Sequence, residues 1–380
     1  MKRFPGFVPF ASLVPFGRLV LLVQSGRFAR SVFVAVLLVA AFGSAAFAGG
    51  RGEAERPQQL VVVNWADYGS DDPEFVADFE ARHGVRIVHE YMASEEELLT
   101  KLRTGGIGIF DVVLPNSSIL PQAIAEGLLQ PINTARLSNY ADVIDTFRDV
   151  DYIQRDGEVY AVPWVWGSTS IAYNTDLVTD PIDSVSVFWD EAYRGRVAIR
   201  DDYNDAVMLA AMYLGQDPNN PSDLDAIRQV LLDQKPYNVT YWRTGDEFST
   251  LFANEQIAIG LAWSGQTLAM KNDGLPIGYV IPREGTIGWV DYWGIVRDAP
   301  NEEIAYAFVN EMISRRFQLE FVRKGGPAPV NANALAAVDP EVRDLMGMSL
   351  QEIDRLHFIE YRDPQTKQDW NEIWQEVKAR

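Results

Sequence analysis

Four short stretches of this sequence combine aromatic rings with acids or amides. They are Trp65-Ala66-Asp67-Tyr68, Asp201-Asp202-Tyr203-Asn204-Asp205, Trp263-Ser264-Gly265-Gln266 and Gly288-Trp289-Val290-Asp291-Tyr292-Trp293. Three of them contain a carboxylate. An ionised carboxylate only accepts hydrogen bonds, and an ammonium only donates them, so the two match in a partly desolvated site. The face of an aromatic ring attracts the cation and also covers a methylene stem. Acids and indoles together describe a box for an aliphatic amine with charge at more than one place. The four stretches contain no Arg or Lys, which an anion would need. A sugar would stack on Trp but also needs donors.

Each residue also has a plainer use. An Asp at a strand-to-helix junction often caps the helix, which applies to Asp201 and Asp205. A single Trp such as Trp65 or Trp263 often serves packing alone. Asp291 is harder to explain that way. On a strand, Trp289, Asp291 and Trp293 share one face, and a carboxylate between two indoles needs a cationic partner or a shifted pKa.

The elements that carry these stretches alternate. Leu60–Trp65 reads as a buried strand, and Pro73–Arg82 as a helix with Pro in its first turn and Gly84 as its stop. Val85–Tyr91 alternates like a strand. Ser94-Glu95-Glu96-Glu97 is a capping box, followed by Leu98, Leu99 and Leu102 at helical spacing. Phe110–Leu114 reads as a strand ended by Pro115, and Ile119–Leu129 as a helix. A second unit starts near Trp164, with strands at Val197–Arg200, Ile257–Trp263 and Ile277–Ile281. Its helices are expected at Asp205–Leu214, Leu224–Leu232, Glu247–Asn254 and, as one long amphipathic element, Glu302–Phe321. Strand–helix alternation with short connections implies parallel sheets covered on both faces, with ligands beyond the carboxyl ends of the strands. The four aromatic–acid stretches lie at such ends.

The chain has 380 residues, enough for two lobes. Lys2, Arg3, Arg18, Arg27 and Arg30 precede the apolar run Ser31–Phe42, and Ala46-Phe47-Ala48 follows. Residues 1–48 therefore read as a cleaved secretory signal peptide. There is no Cys, which excludes disulfides, thiolate metal sites and a lipid-modified cysteine anchor. His83, His89 and His357 are not spaced as a metal site. The formal charge is −20, and the leader contributes only positive residues, so the mature chain is more acidic still. Such a protein repels nucleic acid and favours cationic partners. Gly105-Gly106-Ile107-Gly108 follows a helical pattern rather than a strand and is not a dinucleotide loop.

At the same residues the sequence resembles the periplasmic spermidine/putrescine-binding proteins, the solute receptors of polyamine ABC importers. The resemblance spans nearly the whole mature chain. It is carried by Asn64–Tyr68, Phe110–Pro115, Val162–Gly167, Phe188-Trp189-Asp190, Arg200–Asp202, Leu261–Gly265, Ile281–Gly285, Trp289–Asp291 and Pro327–Asn331. It implies a two-lobed type II periplasmic binding protein fold of the α/β class. Each lobe is a mainly parallel sheet flanked by helices, and the ligand closes between lobes. Residues 58–165 with 291–337 would form the first lobe, and 166–290 with 338–380 the second. Carried over, Trp65 and Tyr68 form one wall, with Asp67 available to an amine. Asn116 and Ser118 lie in a loop where the family uses hydroxyls. Asp202 and Asp205 match acidic positions of the second lobe. Trp263 and Trp289 match the rings over the methylene chain, Asp291 the carboxylate on an ammonium, and Gln266 a position where putrescine-preferring members can have an acid. Ala66 departs from the usual hydroxyl residue, and Ser118 stands where spermidine binders can carry an aromatic.

The expectation is a non-enzymatic, monomeric periplasmic receptor for putrescine or spermidine, without cofactor or metal, that delivers its ligand to an inner-membrane ABC permease. Two rivals remain from the residues alone. One is a receptor for a sugar or another small solute. The other is a secreted hydrolase pairing Asp202 with Asp291.

Overall fold

The computed structural model describes residues 58–380, so the expected signal peptide lies outside the described residues. Leu60, Val62 and Val63 are fully buried in β1 (Gln58–Asn64), which pairs in parallel with β2 (Val85–Tyr91) and β3 (Val112–Val113). Between β1 and β2 lies α1 (Pro73–His83). Asp72 caps its amino end through the amides of Glu74 and Phe75, and Gly84 closes it at φ 66°. The capping box opens α2 (Glu95–Lys101): Ser94 accepts from the Glu97 amide at 3.1 Å, and the Glu97 carboxylate accepts from the Ala93 amide at 2.8 Å. After β3 comes α3 (Leu120–Ala125), within the expected 119–129 segment and ending just before Gly127 at φ 64°.

The sheet then passes through β4 (Ala161–Asn174), a 14-residue strand with almost every position buried. β5 (Val197–Arg200) is followed by α4 (Tyr203–Leu214), and β6 (Asn238–Trp242) by α5 (Gly245–Ala253). β7 (Ile259–Trp263) leads into α6 (Ser264–Asn272), then β8 (Ile277–Val280) and β9 (Thr286–Ile295). The strand order is β2-β1-β3-β9-β4-β7-β5-β6, with β8 on β4. Each end of this path is a parallel triplet, β2-β1-β3 on one side and β7-β5-β6 on the other. The antiparallel pair β4 and β9 joins them and shifts register between Asp291 and Tyr292.

The expected long helix at 302–321 is two helices, α7 (Glu302–Met312) and α8 (Arg315–Arg323). Ser314 breaks it by accepting from the Phe317 amide at 3.1 Å, which makes it the N-cap of a new helix. The chain ends in α9 (Pro364–Ala379), which packs on α4.

The buried side chains form separate clusters. One gathers β1–β3, the first half of β4 up to Trp166 and β9 from Val290 onward. A second gathers Ile171, β5, α4 and α9, and a smaller third holds Trp242, Phe248, Phe252 and Ile277. Buried residues between Val338 and Leu356 belong to the first cluster, whereas Ile359 and the α9 residues belong to the second. The architecture is α/β and two-lobed, with a cleft where β4 and β9 cross from one half to the other. Among the described residues no helix is long and apolar enough to cross a membrane, and no group of His, Cys, Asp and Glu could hold a metal.

Candidate functional site

The carboxyl ends of β1, β3, β5 and β7 converge beside that crossing. At the end of β1, buried Asn64 ties the tip together. Its Nδ2 donates to the Tyr68 carbonyl at 3.2 Å and to the Ser70 hydroxyl at 2.9 Å, and its Oδ1 accepts from the Trp65 amide at 2.7 Å. The loop thereby turns Tyr68 inward, where the edges of Trp164 and Phe321 hold its ring at 5.2 and 5.8 Å. The Tyr68 hydroxyl donates to Asp291 Oδ2 at 2.8 Å.

Asp291 is only 7% exposed. The loop after β3 pairs with β9 beside it. The Tyr292 amide donates to the Pro115 carbonyl at 2.9 Å and the Ser117 amide to the Val290 carbonyl at 3.3 Å, setting Asn116 directly opposite Asp291. Burial pushes the Asp291 carboxyl up to about 7, against the lowering effect of the Tyr68 hydrogen bond. Its Oδ1 receives no hydrogen bond from a described residue.

Glu95 is the residue that sequence reasoning missed. It stands inside the capping box Ser94-Glu95-Glu96-Glu97, yet its side chain turns to the loop that sets Asn116 opposite Asp291. Its Oε2 accepts from the Asn116 amide at 3.3 Å, and its Oε1 is buried with no partner among the described residues. Burial, then the charge of Asp291, hold its pKa well above the usual carboxylate range. The only available signal was that Ser94 and Glu97 complete the capping box without it. The buried Asp291 and the half-buried Glu95 thus repel one another when both are charged; no Lys or Arg among the described residues forms an ion pair with either, although the charge of Arg200 reaches Glu95.

The opposite wall is built differently. Asp202 caps α4, accepting from the amides of Asn204 at 2.8 Å and Asp205 at 3.3 Å. Asp205 is 1% exposed and its Oδ1 has no partner. Although the four stretches contain no Arg or Lys, the residue just before the second one supplies a cation to this wall. Arg200, the last residue of β5, sends its guanidinium into this wall. Nη1 lies 3.5 Å from Asp202 and 3.4 Å from Asp205, and the guanidinium carbon sits 4.9 Å from the centre of the Trp263 ring. Burial raises the Asp205 pKa and Arg200 opposes it; the Arg200 guanidinium, penalised by burial, is held charged by Asp202 and Asp205. Across the cleft, the Tyr203 hydroxyl reaches Glu96 at 3.5 Å.

Trp289 is half-buried and lies flat over the backbone of Gly167, where an added Cβ would come within 2.4 Å of the indole. Trp293 is wholly buried against Trp164 and Phe308, so it supports the wall from the core. Trp65 is half-buried against the first cluster. Other expected residues are not brought to the carboxyl pair. Asp67 is exposed, takes φ 56°, and lines a groove between α1 and α8. Ser118 donates its hydroxyl to Asn116 Oδ1 at 2.6 Å, a local contact that starts α3. Gln266 donates to Ser249 at 2.5 Å and rests on the Gly245 backbone.

A cleft between two α/β lobes, walled by rings and buried acids, suits the capture of a small solute. Residues 74–347 match the family model for bacterial extracellular solute-binding proteins. The chain belongs to this family. The solute-binding protein is 28% identical over 355 residues to a putrescine-binding periplasmic protein of Pseudomonas aeruginosa, covering 87% of this chain and 94% of that one. It is 29% identical over 343 residues to a putrescine/agmatine-binding protein of the same species, covering 84% and 91%. In fold it resembles a spermidine/putrescine ABC transporter substrate-binding protein of Streptococcus pneumoniae. There the TM-score is 0.74 at 23% identity, over 85% of this chain and 99% of that one. Members of this family serve transport rather than catalysis.

Proposed function

We propose that this solute-binding protein captures an aliphatic polyamine, putrescine or spermidine, outside the cytoplasm and delivers it to an inner-membrane ABC permease, without catalysing a reaction. It acts as a periplasmic monomer released from its signal peptide. The proposed lobes are residues 58–165 with 291–337 and residues 166–290 with 338–380, the buried side chains from Val338 to Leu356 reaching back to the core of the first. The ligand's ammonium is held by Asp291, Tyr68 and Glu95, and its methylenes lie against Trp65, Trp289 and Trp263. Asn116 lines the Asp291 end, and Asp202 and Asp205 the other.

The observation that carries this reading is the buried Asp291 beside the half-buried Glu95, each with an oxygen that accepts from no described residue and neither in an ion pair. Burying such groups costs free energy unless a cation compensates, and an ammonium is the small cation that also uses the neighbouring indoles. The names of the relatives support the same ligand class. Native mass spectrometry of the purified protein, followed by calorimetry with putrescine and spermidine, tests it. The expected result is a bound amine mass and binding at micromolar concentration or below. No response to any aliphatic amine up to millimolar concentration would defeat it.

A further inference from the structure

The two ends of the cleft carry different charge. At one end Asp291 and Glu95 form no ion pair with a described residue, although the charge of Arg200 reaches Glu95. At the other, Asp202 and Asp205 are already answered by Arg200, at 3.5 and 3.4 Å. A second guanidinium, Arg362, is buried on the Trp370 ring at 4.0 Å and lies within electrostatic reach of Asp202. Two acids and two guanidinium groups share this end, while the two acids of the Asp291 end have no ion-paired cation among the described residues. The Trp263 ring face, which a ligand cation would seek, is covered by Arg200.

Arg200 also has donors to spare. A guanidinium presents five N–H groups in a fixed fork. The hydrogen bond it makes to the protein is from Nη1 to Asp205, and neither Nε nor Nη2 donates to a described residue. It is not a fully enclosed structural arginine, since about a quarter (23%) of its side chain is exposed. A second ligand ammonium placed here would meet a like charge and find its acceptors taken. An oxygen acceptor would meet unspent donors.

We propose that Arg200 sets the ligand's charge: the preferred solute is an aliphatic amine with one ammonium for Asp291 and Glu95 and an oxygen acceptor, not a second ammonium, for Arg200. The proposal rests on the reading of the cleft as an amine site but departs from putrescine and spermidine as its best ligands. The accepting end is either a neutral carbonyl, as in a monoacylated diamine, or a carboxylate, as in an ω-amino acid.

Calorimetry with three ligands of equal chain length tests it: putrescine, N-acetylputrescine and 4-aminobutyrate, at pH 8 and low salt. The wild type is expected to bind one of the oxygen-ended ligands at least tenfold more tightly than putrescine. Which of the two binds better distinguishes a neutral from an anionic far end. In Arg200→Leu the order reverses, with putrescine gaining and the oxygen-ended ligands losing at least tenfold. Should Arg200→Leu melt early by circular dichroism, Arg200→Lys serves, retaining the charge but losing the fork, and the wild-type order decides by itself. Tightest binding of putrescine to the wild type, with an unchanged order in the variant, overturns the role of Arg200 while leaving the amine site intact. Failure of all three ligands removes the amine reading itself.

Discussion

Tyr68 and Asp291, 223 residues apart in sequence, are joined by a 2.8 Å hydrogen bond in which the phenol donates to the carboxylate. This bond stabilises the ionised form that an ammonium requires. Tyr68→Phe is therefore expected to keep Asp291 protonated to higher pH. Amine affinity at pH 7 should fall by about 1.5–3 kcal/mol, the range for a hydrogen bond to a charged group. The deficit should narrow at pH 9, where Asp291 ionises regardless. Titration calorimetry at the two pH values checks this, and an equal loss at both would point to a packing effect instead.

The pH dependence has a definite sign. In the unfolded chain Asp291 titrates in the ordinary range near 3.9, and in the folded protein at about 7. Its protonated form is thus favoured by folding. The stability it contributes is fully present below the unfolded value and is lost as pH rises through about 7. Ligand-free protein should melt at lower temperature at pH 8 than at pH 6 because of this site. Binding runs the other way, since an alkyl ammonium stays charged to about pH 10. Affinity should rise from pH 5 to pH 8 with proton release on binding, measured by calorimetry in buffers of different ionisation enthalpy. A flat profile between pH 6 and 8 would contradict it.

Glu95→Gln separates binding from stability. Removing one of two mutually repelling acids should raise the melting temperature of ligand-free protein at pH 8, by roughly 2–4 °C for each kcal/mol relieved. The same change should weaken amine binding at least tenfold. Asp291→Ala should cost about 2–5 kcal/mol in binding, because it leaves a buried cation without its partner. Scanning calorimetry with and without ligand measures both effects.

Gly167→Ala tests the seat of Trp289. A Cβ there would come within 2.4 Å of the indole, so the ring must move off the strand. Overpacking of this kind costs about 1–3 kcal/mol. Both the melting temperature and amine affinity should drop, and unchanged tryptophan fluorescence in the variant would count against the predicted ring displacement.

Much of the fold can be read from local pattern, because β1, α1, β2 and α2 carry their own caps, stops and periodicity. β4 carries no such pattern. Buried along nearly all its length and containing Pro163, it lacks the alternation that marks a strand, although it holds the two halves together. The 302–321 segment keeps its amphipathic face across Ser314, so the break depends on a capping bond that periodicity does not reveal.

In the site, the acids and rings are conspicuous as residue types, but their direction is not. Asp67 stands between Trp65 and Tyr68 and still points away, because its backbone is left-handed. Glu95 looks like one acid in a solvated run and instead faces Asp291 across a loop. Arg200 lies one residue outside the stretch that drew notice. Which face of β5 its side chain leaves from is fixed by the register with β6 and β7, set by residues far along the chain.

The long strands β4 and β9 are hydrogen-bonded to each other where the sheet passes between lobes, and Asp291 is part of that ladder, opposite Val165. Flanked by Asn116 on one edge and by Pro329 on the other, this crossing is the pivot expected for any opening of the lobes. A point near a pivot travels little while the far rim sweeps through a wide arc. The carboxylate at Asp291 is thus expected to move least as the lobes part, and Arg200 and Trp263 to move more. Cargo anchored at the axle keeps its grip on one wall while the other swings clear, which makes the Arg200 side the latch that release must undo.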